Sequence, residues 1–239
     1  MSTSRVRPAL AGALGLMLPV SCVGCGALDH AVCPSCRGEL VPEPRFVTRP
    51  LAGAGIGAWA ALSYTGAIRP VLGAYKDGGR TDVAPALGPA LAAAIAASLA
   101  GSPTARRADA PGIELCTIPS TPAALRARGY RPVDRLLASA GLRASRVLRP
   151  ARTHLDQAGL GAGARARNAR GWLRACGAAG RRFLVVDDVL TTGATLAAAA
   201  AALDAGGAEV VGFAVLAETP LRRARDADEH CRRSSANSP

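Results

Sequence analysis

Two adjacent carboxylates and a turn rich in threonine follow an apolar run near the C-terminal end of the chain. The run covers residues 183–186, and four consecutive apolar residues predict a fully buried strand. Asp187 and Asp188 come directly after it, and residues 191–195 then lead into an alanine-rich stretch. Backbone N–H groups of a turn at a helix N-terminus bind phosphate, and paired carboxylates accept hydrogen bonds from vicinal hydroxyls. The spacing therefore predicts a site for a ribose 5-phosphate.

Other phosphate-binding patterns do not fit this segment. The P-loop pattern GxxxxGK[ST] and the dinucleotide-binding pattern GxGxxG are both missing from the sequence. A plain strand-turn-helix needs only one capping threonine or aspartate at the start of its helix. Such a cap does not account for two acids followed by Thr-Thr-Gly-x-Thr, so a ligand site explains the pattern better.

Four of the seven cysteines form two CxxC pairs, Cys22 with Cys25 and Cys33 with Cys36. Two such pairs supply the four sulfur ligands of a closed structural zinc site. Two disulfides and a thioredoxin-like redox pair are the alternatives. An odd number of cysteines fits a disulfide framework poorly, and a redox site needs only one pair. We therefore predict bound Zn2+ with a role in folding rather than in catalysis.

The chain is strongly basic, with a net charge of +12 and a pI of about 10.6, and almost all of its positive charge is arginine. Arginine binds phosphate as a planar fork, so the charge indicates a phosphorylated small molecule, nucleic acid, or both. A compositional bias accounts for the excess of arginine over lysine but not for the positive sign. Lys76 is the only lysine; this suggests a position that needs a compact cation, and chance is the alternative.

Length and composition limit the fold. A chain of 239 residues holds one α/β domain of ordinary size and a small module. Its 49% hydrophobic content excludes global disorder, and its 3% aromatic content means that alanine, valine and leucine must build the core. The predicted division is an N-terminal helix and zinc ribbon in residues 1–45, an α/β domain in 46–220 and a disordered tail in 221–239.

Strands and helices alternate along the predicted α/β domain, which implies a mostly parallel sheet with flanking helices. The segments 41–50 and 51–64 are predicted as a proline-rich linker and a hairpin, because the first contains three prolines and the second alternates glycine with small apolar residues. Predicted helices cover residues 8–18, 68–76, 86–99, 132–142 and 193–205, with a further helix from Thr121, and predicted strands cover residues 113–118, 147–152, 182–186 and 209–217.

Residues 8–20 are apolar, follow two arginines and precede Cys22, which resembles a short signal peptide or a lipid-attachment site. The run is too short to span a bilayer, Pro19 stands where a lipid-attachment signal needs an aliphatic residue, and Cys22 is assigned to zinc. Residues 84–100 approach the length of a span but contain two prolines and are mostly alanine. We predict a cytoplasmic protein with no membrane span.

The segment 183–195 resembles, along its whole length, the thirteen-residue motif that binds phosphoribosyl pyrophosphate (PRPP) in type I phosphoribosyltransferases. The resemblance implies a type I phosphoribosyltransferase-like fold in which Asp187 and Asp188 hold the ribose hydroxyls. The residues implied to wrap the 5-phosphate are Thr191, Thr192, Gly193, Ala194 and Thr195.

The whole chain resembles the ComF family, competence-associated phosphoribosyltransferase-like proteins with an N-terminal zinc ribbon. The resemblance rests on the CxxC pairs, the PRPP motif and four further segments, 75–80, 118–120, 126–130 and 156–171. It implies a pyrophosphate loop made by Pro119, Ser120, Arg126 and Arg128, and a hood over the ligand made by Gln157, Arg165 and Asn168. For the two arginines the alternative is an exposed helix face, and for the hood it is a surface arm. Arg131 and Pro132 depart from the family, in which Asn-Gln is common.

Two classes of function follow from this resemblance. The first is transfer of a phosphoribosyl group from PRPP, with Mg2+ bound through the ligand. The candidate catalytic residues are Asp187, Asp188, Lys76 and Arg128, and the sequence does not indicate the acceptor. The second is a non-enzymatic competence factor that binds single-stranded DNA and partner proteins and uses the pocket as a sensor. Few aromatic residues are available to stack on bases, so arginine–phosphate contacts would dominate such binding.

Overall fold

The computed structural model describes residues 20–51, 55–107, 111–151 and 171–221. The helix predicted for residues 8–18 and almost all of the predicted C-terminal tail lie outside these ranges. The described strands, in chain order, are β1 (Arg45–Arg49), β2 (Ile56–Ser63), β3 (Ile113–Thr117), β4 (Ala144–Ser145), β5 (Leu148–Pro150), β6 (Leu173–Ala175), β7 (Arg182–Leu190) and β8 (Glu209–Glu218). The described α-helices are α1 (Pro34–Gly38), α2 (Ile68–Lys76), α3 (Ala84–Gly101), α4 (Pro122–Arg128), α5 (Pro132–Ser139) and α6 (Ala194–Ala205).

Six strands form the central sheet in the order β1-β2-β8-β7-β3-β4. Every neighbouring pair is parallel except β1 with β2. Strands β5 and β6 make a separate antiparallel pair. The prediction of a mostly parallel sheet with flanking helices is therefore confirmed.

Strand β7 lies in the centre of the sheet, and its first half is buried on both faces. Phe183 and Val185 face the core beneath α6 and the β5–β6 pair, whereas Leu184 and Val186 face the core beneath α2, α3 and α5. All four side chains have no exposed surface. The strand predicted from the apolar run is confirmed, and it delivers the two acids to the C-terminal edge of the sheet.

The proline-rich segment 41–50 is not a linker, so that prediction is wrong. Its residues Arg45–Arg49 form the edge strand β1, which pairs antiparallel with β2 from Arg45↔Ala60 to Arg49↔Ile56. Pro44 and Pro50 stand directly outside the strand, where a missing N–H removes no ladder hydrogen bond. The hairpin predicted within 51–64 is also wrong, because the described residues of that segment supply β2 alone and its antiparallel partner β1 lies upstream.

Most other elements agree with the predictions to within two or three residues. Helix α2 has the predicted bounds, and α3 is two residues longer at each end. Helix α5 ends at Ser139, three residues earlier than predicted. Strand β7 continues four residues beyond Val186 because its pairing with β8 extends to Leu190↔Glu218. Both acids therefore belong to the strand rather than to the loop after it.

Helix α3, with the short turn before it, spans Thr81–Gly101 and is long and apolar enough to cross a membrane by length and composition. Length and composition alone therefore admit this helix as a candidate, although no membrane span was predicted. Half of its most apolar window is buried in the fold, where the helix packs against β2, β8 and α5. A core helix passes the same test, so length and composition are weak support for a span.

Candidate functional site

One cavity lies at the C-terminal edge of the parallel strands, where α/β folds bind ligands. It has a volume of about 250 Å3. The predicted site residues that line it are Lys76, Pro119, Ser120, Arg128, Asp187, Asp188 and Thr195. Segments that are far apart in the sequence thus meet around one space.

The two acids at the end of β7 are held in different ways. The Asp188 N–H donates to Asp187 Oδ1 at 2.9 Å, and Asp188 Oδ2 lies 2.9 Å from Lys76 Nζ. Burial, together with the charge of Asp188, raises the pKa of Asp187 to about 7, while Lys76 acts in the opposite direction. The only lysine of the chain is therefore the counter-charge of the acid pair.

Lys76 is positioned by the C-terminal turn of α2. The preceding residue, Tyr75, is completely buried, and its hydroxyl donates to the Pro132 carbonyl at 2.7 Å. Tyr130 donates its hydroxyl to the Tyr75 carbonyl, and the two rings lie 5.7 Å apart. Burial raises the pKa of Tyr75, so this side chain stays a neutral donor. The contacts fix the end of α2 against the segment that connects α4 to α5.

The predicted pyrophosphate loop follows β3 and precedes α4. Thr121 caps α4 by accepting a hydrogen bond from the Ala124 N–H at 3.2 Å, and Pro122 is the first helical residue, as predicted. A helix that begins this way leaves Pro119 and Ser120 on the strand-to-helix turn, at the wall of the cavity.

The two arginines of α4 lie in different environments. Arg128 lines the cavity, and its Nη2 lies 2.8 Å from Asp77 Oδ1. Arg126 is exposed and is not part of the cavity wall. The structure thus places Arg128 at the wall of the cavity that the acid pair also lines, and leaves Arg126 on the exposed helix face that was its alternative assignment.

The predicted phosphate loop connects β7 to α6. Gly193 caps α6 with a φ of +81°, a conformation that favours glycine. A Cβ at this position would also lie 2.3 Å from Ile56 Cγ2, so the close approach of β2 requires glycine as well. Thr191, Thr192, Ala194 and Thr195 are exposed. The N-terminus of α6 therefore faces solvent, where its N–H groups and its dipole favour an anion.

Sequence reasoning missed a buried arginine behind this loop. Arg49 Nε donates to the Thr191 carbonyl at 2.8 Å, and Arg49 Nη2 lies 2.5 Å from Glu218 Oε2. Arg45 also pairs with Glu218, at 2.7 Å. Burial alone would raise the pKa of Glu218, but these two ion pairs outweigh it and hold the pKa below its usual value. The one available signal was an acid at the end of an apolar strand, which needs a buried partner.

Asp134 and Trp172 also line the cavity and were not predicted. Asp134 accepts a hydrogen bond from Thr117 Oγ1 at 2.7 Å and pairs with Arg146 at 3.0 Å. Arg131 and Pro132, the positions that depart from the ComF pattern, belong to the cavity wall too. Nothing in the local sequence of Asp134 or Trp172 distinguishes them from surface residues of a helix and a loop.

The predicted hood residues Gln157, Arg165 and Asn168 lie outside the described part of the chain. The chain leaves that part after β5 and returns to it at β6. The Ala151 N–H donates to the Trp172 carbonyl at 2.7 Å, so the two ends of the undescribed segment meet. One of these ends, through Trp172, touches the cavity.

The four cysteines of the CxxC pairs come together, with their Sγ atoms all within 4.8 Å of one another. Burial opposes ionisation of Cys22, but hydrogen bonds from backbone N–H groups, including those of Gly24 and Cys33, lower its pKa to about 6. Four sulfur donors converging on one point fit a tetrahedral Zn2+ ion. Within the described ranges this is the only such cluster of potential ligands, and His30 is exposed and lies outside it.

The cysteine cluster packs directly against the α/β domain. Cys22, Cys33 and Cys36 belong to the same buried core as Val71 of α2. A Cβ at Gly24 would lie 2.6 Å from Cys36 Sγ and 3.5 Å from Val71 Cγ2. The cluster therefore rests on the helix that carries Lys76 to the acid pair.

Comparisons with known proteins find similarity in the part of the chain that contains β7 and α6. The profile of the phosphoribosyl transferase domain family matches residues 167–237. An adenine phosphoribosyltransferase of Frankia casuarinae is 60% identical over 47 residues, and one of a Parafrankia species is 55% identical over 47 residues. Each match covers 20% of this chain, and the chain spans about a quarter of the length of these curated relatives. The mostly parallel sheet with flanking helices fits a type I phosphoribosyltransferase-like fold, and the segment similar to the family lies in the C-terminal part of the chain.

Proposed function

We propose that this protein binds PRPP and transfers its phosphoribosyl group to an acceptor with release of pyrophosphate. The observation that supports this most directly is the meeting of three elements around one cavity. These are the acid pair at the end of β7, the N-terminus of α6 and the loop after β3. Together they offer carboxylates that accept hydrogen bonds from a diol, backbone N–H groups that bind a phosphate, and a second site for an anion.

In this proposal the ligand lies along the edge of the sheet. The loop 191–195 binds the 5-phosphate through backbone N–H groups and threonine hydroxyls. Asp187 and Asp188 accept hydrogen bonds from the ribose hydroxyls. Ser120 and Arg128, which line the same cavity, bind the pyrophosphate, and the guanidinium does so with charge-assisted hydrogen bonds.

The chemistry that this arrangement supports is displacement at C1 of the ribose. The bond from C1 to the pyrophosphate oxygen breaks, its electron pair leaves with the pyrophosphate, and the acceptor supplies the electron pair of the new bond. Positive charge develops on the ribose during this step, close to Asp187 and Asp188. Negative charge develops on the leaving group, on the side of Arg128. The protein would contribute positioning and stabilisation of these charges.

The side chains of the cavity also fit Mg2+. This ion prefers carboxylate and phosphate oxygens and keeps several waters, and Asp187, Asp188 and Asp134 supply carboxylates at the cavity wall. Mg2+ held through the ligand would neutralise part of the pyrophosphate charge.

The test is binding and turnover of PRPP. In calorimetry with Mg2+, we expect saturable binding of PRPP that the double variant Asp187→Asn, Asp188→Asn removes. The control is Asp204→Asn, which changes an exposed acid near the far end of α6. Release of pyrophosphate with a panel of candidate acceptors would then identify the reaction. Absence of binding with fresh PRPP would refute the proposal.

We further propose that the chain is a ComF-like protein of the cytoplasm, with Zn2+ bound by its N-terminal module. The support is that three ComF-like segments upstream of the motif, through Lys76, Ser120 and Arg128, reach the same cavity as the acids. Free cysteines also fit a reducing compartment. One zinc ion per purified chain is expected, and two disulfides by mass spectrometry would contradict the zinc assignment.

A non-enzymatic competence factor that binds single-stranded DNA is the alternative function. Its support is the net charge of +12, carried mainly by arginine. Binding of this kind releases counterions, so its affinity should fall steeply along a salt series. DNA affinity that does not change with salt, or no affinity at all, would exclude this alternative.

A further inference from the structure

The guanidinium of Arg49 is buried directly behind the phosphate loop. Its side chain is 4% exposed and is not part of the cavity wall. Nε donates to the Thr191 carbonyl at 2.8 Å, Nη1 donates to the Thr48 carbonyl at 3.1 Å, and Nη2 donates to Glu218 and to the Thr219 carbonyl, each at 2.5 Å. One side chain therefore joins the loop, the edge strand β1 and the end of β8.

The contact with Thr191 bears on anion binding. A peptide carbonyl carries a negative partial charge and repels phosphate when it faces the site. A carbonyl that accepts a hydrogen bond from a buried guanidinium is directed toward that guanidinium, away from the solvent side of the loop. We propose that Arg49 is the positioning residue of the phosphate loop, holding the Thr191 carbonyl so that the loop presents N–H groups to the 5-phosphate. This inference rests on the proposed function.

Arginine is required for this role rather than lysine. The three nitrogens of the guanidinium donate in fixed, diverging directions, whereas an ammonium group is a compact donor on a flexible stem. The partners of Arg49 come from three separate parts of the chain. Nε and Nη1 each donate to one partner, and Nη2 donates to two. A lysine at this position would keep the charge but lose the simultaneous contacts.

A second contact shows that the β1–β2 hairpin supports the loop. Gly193, at the other end of the loop, approaches the hairpin so closely that a Cβ there would lie 2.3 Å from Ile56 Cγ2 and 3.2 Å from Leu51 Cδ1. The same Cβ would lie 3.5 Å from Arg49 Cβ. The loop is thus held by a polar contact at Thr191 and by close packing at Gly193.

Arg45 offers a matched control within the same strand. It lies four residues before Arg49, on the same face of β1, and pairs with the same carboxylate. Among the described residues its hydrogen bonds go to Ser63 and Glu218, and none goes to the phosphate loop. Replacing Arg45 removes the same charge from the same cluster but leaves the Thr191 contact in place.

The experiment compares Arg49→Met with Arg45→Met by calorimetry in the presence of Mg2+, using ribose 5-phosphate, PRPP and inorganic pyrophosphate as ligands. Because Arg49→Met loses a hydrogen bond from a charged donor, we expect it to lower the affinity for ribose 5-phosphate and for PRPP by about tenfold or more. Pyrophosphate alone should bind within about twofold of wild type, because its proposed site is the loop after β3. Arg45→Met should change all three affinities by less than about threefold.

Arg49→Lys separates position from charge. If the guanidinium positions the loop, this variant should bind ribose 5-phosphate almost as weakly as Arg49→Met. Wild-type affinity for ribose 5-phosphate in Arg49→Lys would overturn the inference and show that charge alone matters. Equal losses of this affinity in Arg49→Met and Arg45→Met would lead to the same conclusion. An affinity of Arg49→Met within about twofold of wild type for ribose 5-phosphate would overturn it as well.

Hydrogen exchange tests the same inference without any ligand. Peptides that cover residues 190–196 should exchange about tenfold faster in Arg49→Met than in wild type, and at the wild-type rate in Arg45→Met. If Arg49→Met does not fold, the double variant Arg49→Met, Glu218→Gln takes its place, because it also removes the charge of the buried acid that has lost one of its two arginine partners. Wild-type exchange in the Arg49 variants would refute the inference. If the wild-type protein does not bind PRPP, the proposed function is refuted. The hydrogen-exchange result then decides whether Arg49 positions the loop.

Discussion

Replacement of Lys76 by methionine should change the pH dependence of PRPP binding. Lys76 Nζ lies 2.9 Å from Asp188 Oδ2, and both side chains are mostly shielded from water. An opposite charge this close lowers the pKa of a carboxyl by about one to three pH units. Lys76 contacts Asp188 and is the weakest of the influences on Asp187, so its removal should raise the pKa of Asp187 by an amount at the lower end of this range. In wild type Asp187 already has a pKa of about 7 because of burial and the charge of Asp188.

The size of the effect follows from the fraction of ionised acid pairs. With its pKa of about 7, Asp187 is roughly three quarters ionised at pH 7.5; if the loss of Lys76 moves the value to about 8, only about a quarter is ionised. Binding to the ionised pair should therefore be about threefold weaker in Lys76→Met at pH 7.5 and nearly equal to wild type at pH 9.5. The ratio shrinks as pH rises because both proteins then hold the ionised pair.

The assay is calorimetric titration of PRPP and Mg2+ at half-unit intervals from pH 6 to pH 9.5, with Lys76→Arg as the control that keeps the charge. Any direct attraction between Lys76 and the ligand adds a factor that does not depend on pH, so it changes the height of the profile and not its midpoint. A ratio of affinities that stays constant over the whole range would show that Lys76 does not control the ionisation of the acid pair.

Two further predictions concern stability. Gly193→Ala should lower the free energy of unfolding by about 2 kcal/mol or more, because φ is +81° and the new Cβ meets Ile56. The control Gly129→Ala, with a φ of +73° and open space around it, should lower it by about 1 kcal/mol, and equal losses in urea unfolding would contradict the packing argument. Cys36→Ser should abolish stoichiometric zinc and lower the thermal midpoint, whereas Cys176→Ser, outside the cluster, should leave both unchanged; full zinc content in Cys36→Ser would argue against four sulfur ligands.

Those parts of the molecule that depend on short-range pattern were predictable. The apolar run before Asp187 is a buried strand, and the cap at Thr121 begins a helix, because neighbouring residues determine both. The two CxxC pairs converge since each one needs only a local turn. A single lysine in an arginine-rich chain also indicated a position with a special requirement, and Lys76 is the counter-charge of the acids.

What could not be predicted depends on pairing between distant segments. Pro44 and Pro50 are strong local signals for a loop, and only the pairing with β2 makes the residues between them a strand. Arg49 then meets Glu218, 169 residues further along the chain, and no local pattern indicates that partner. Asp134 likewise gains its role from Thr117 and the cavity, which the packing of α5 on the sheet brings together.

The dependence of the phosphate loop on Arg49 has a consequence for how the protein folds. Arg49 and Thr191 are 142 residues apart, so their contact closes a long loop whose entropic cost must be met before the contact forms. The thirteen-residue motif is therefore not an autonomous element and acquires its final shape only after β1 has been brought next to the C-terminal ends of β7 and β8. In refolding experiments, recovery of ribose 5-phosphate binding should lag behind the recovery of helical circular dichroism; simultaneous recovery would show that the motif matures by itself.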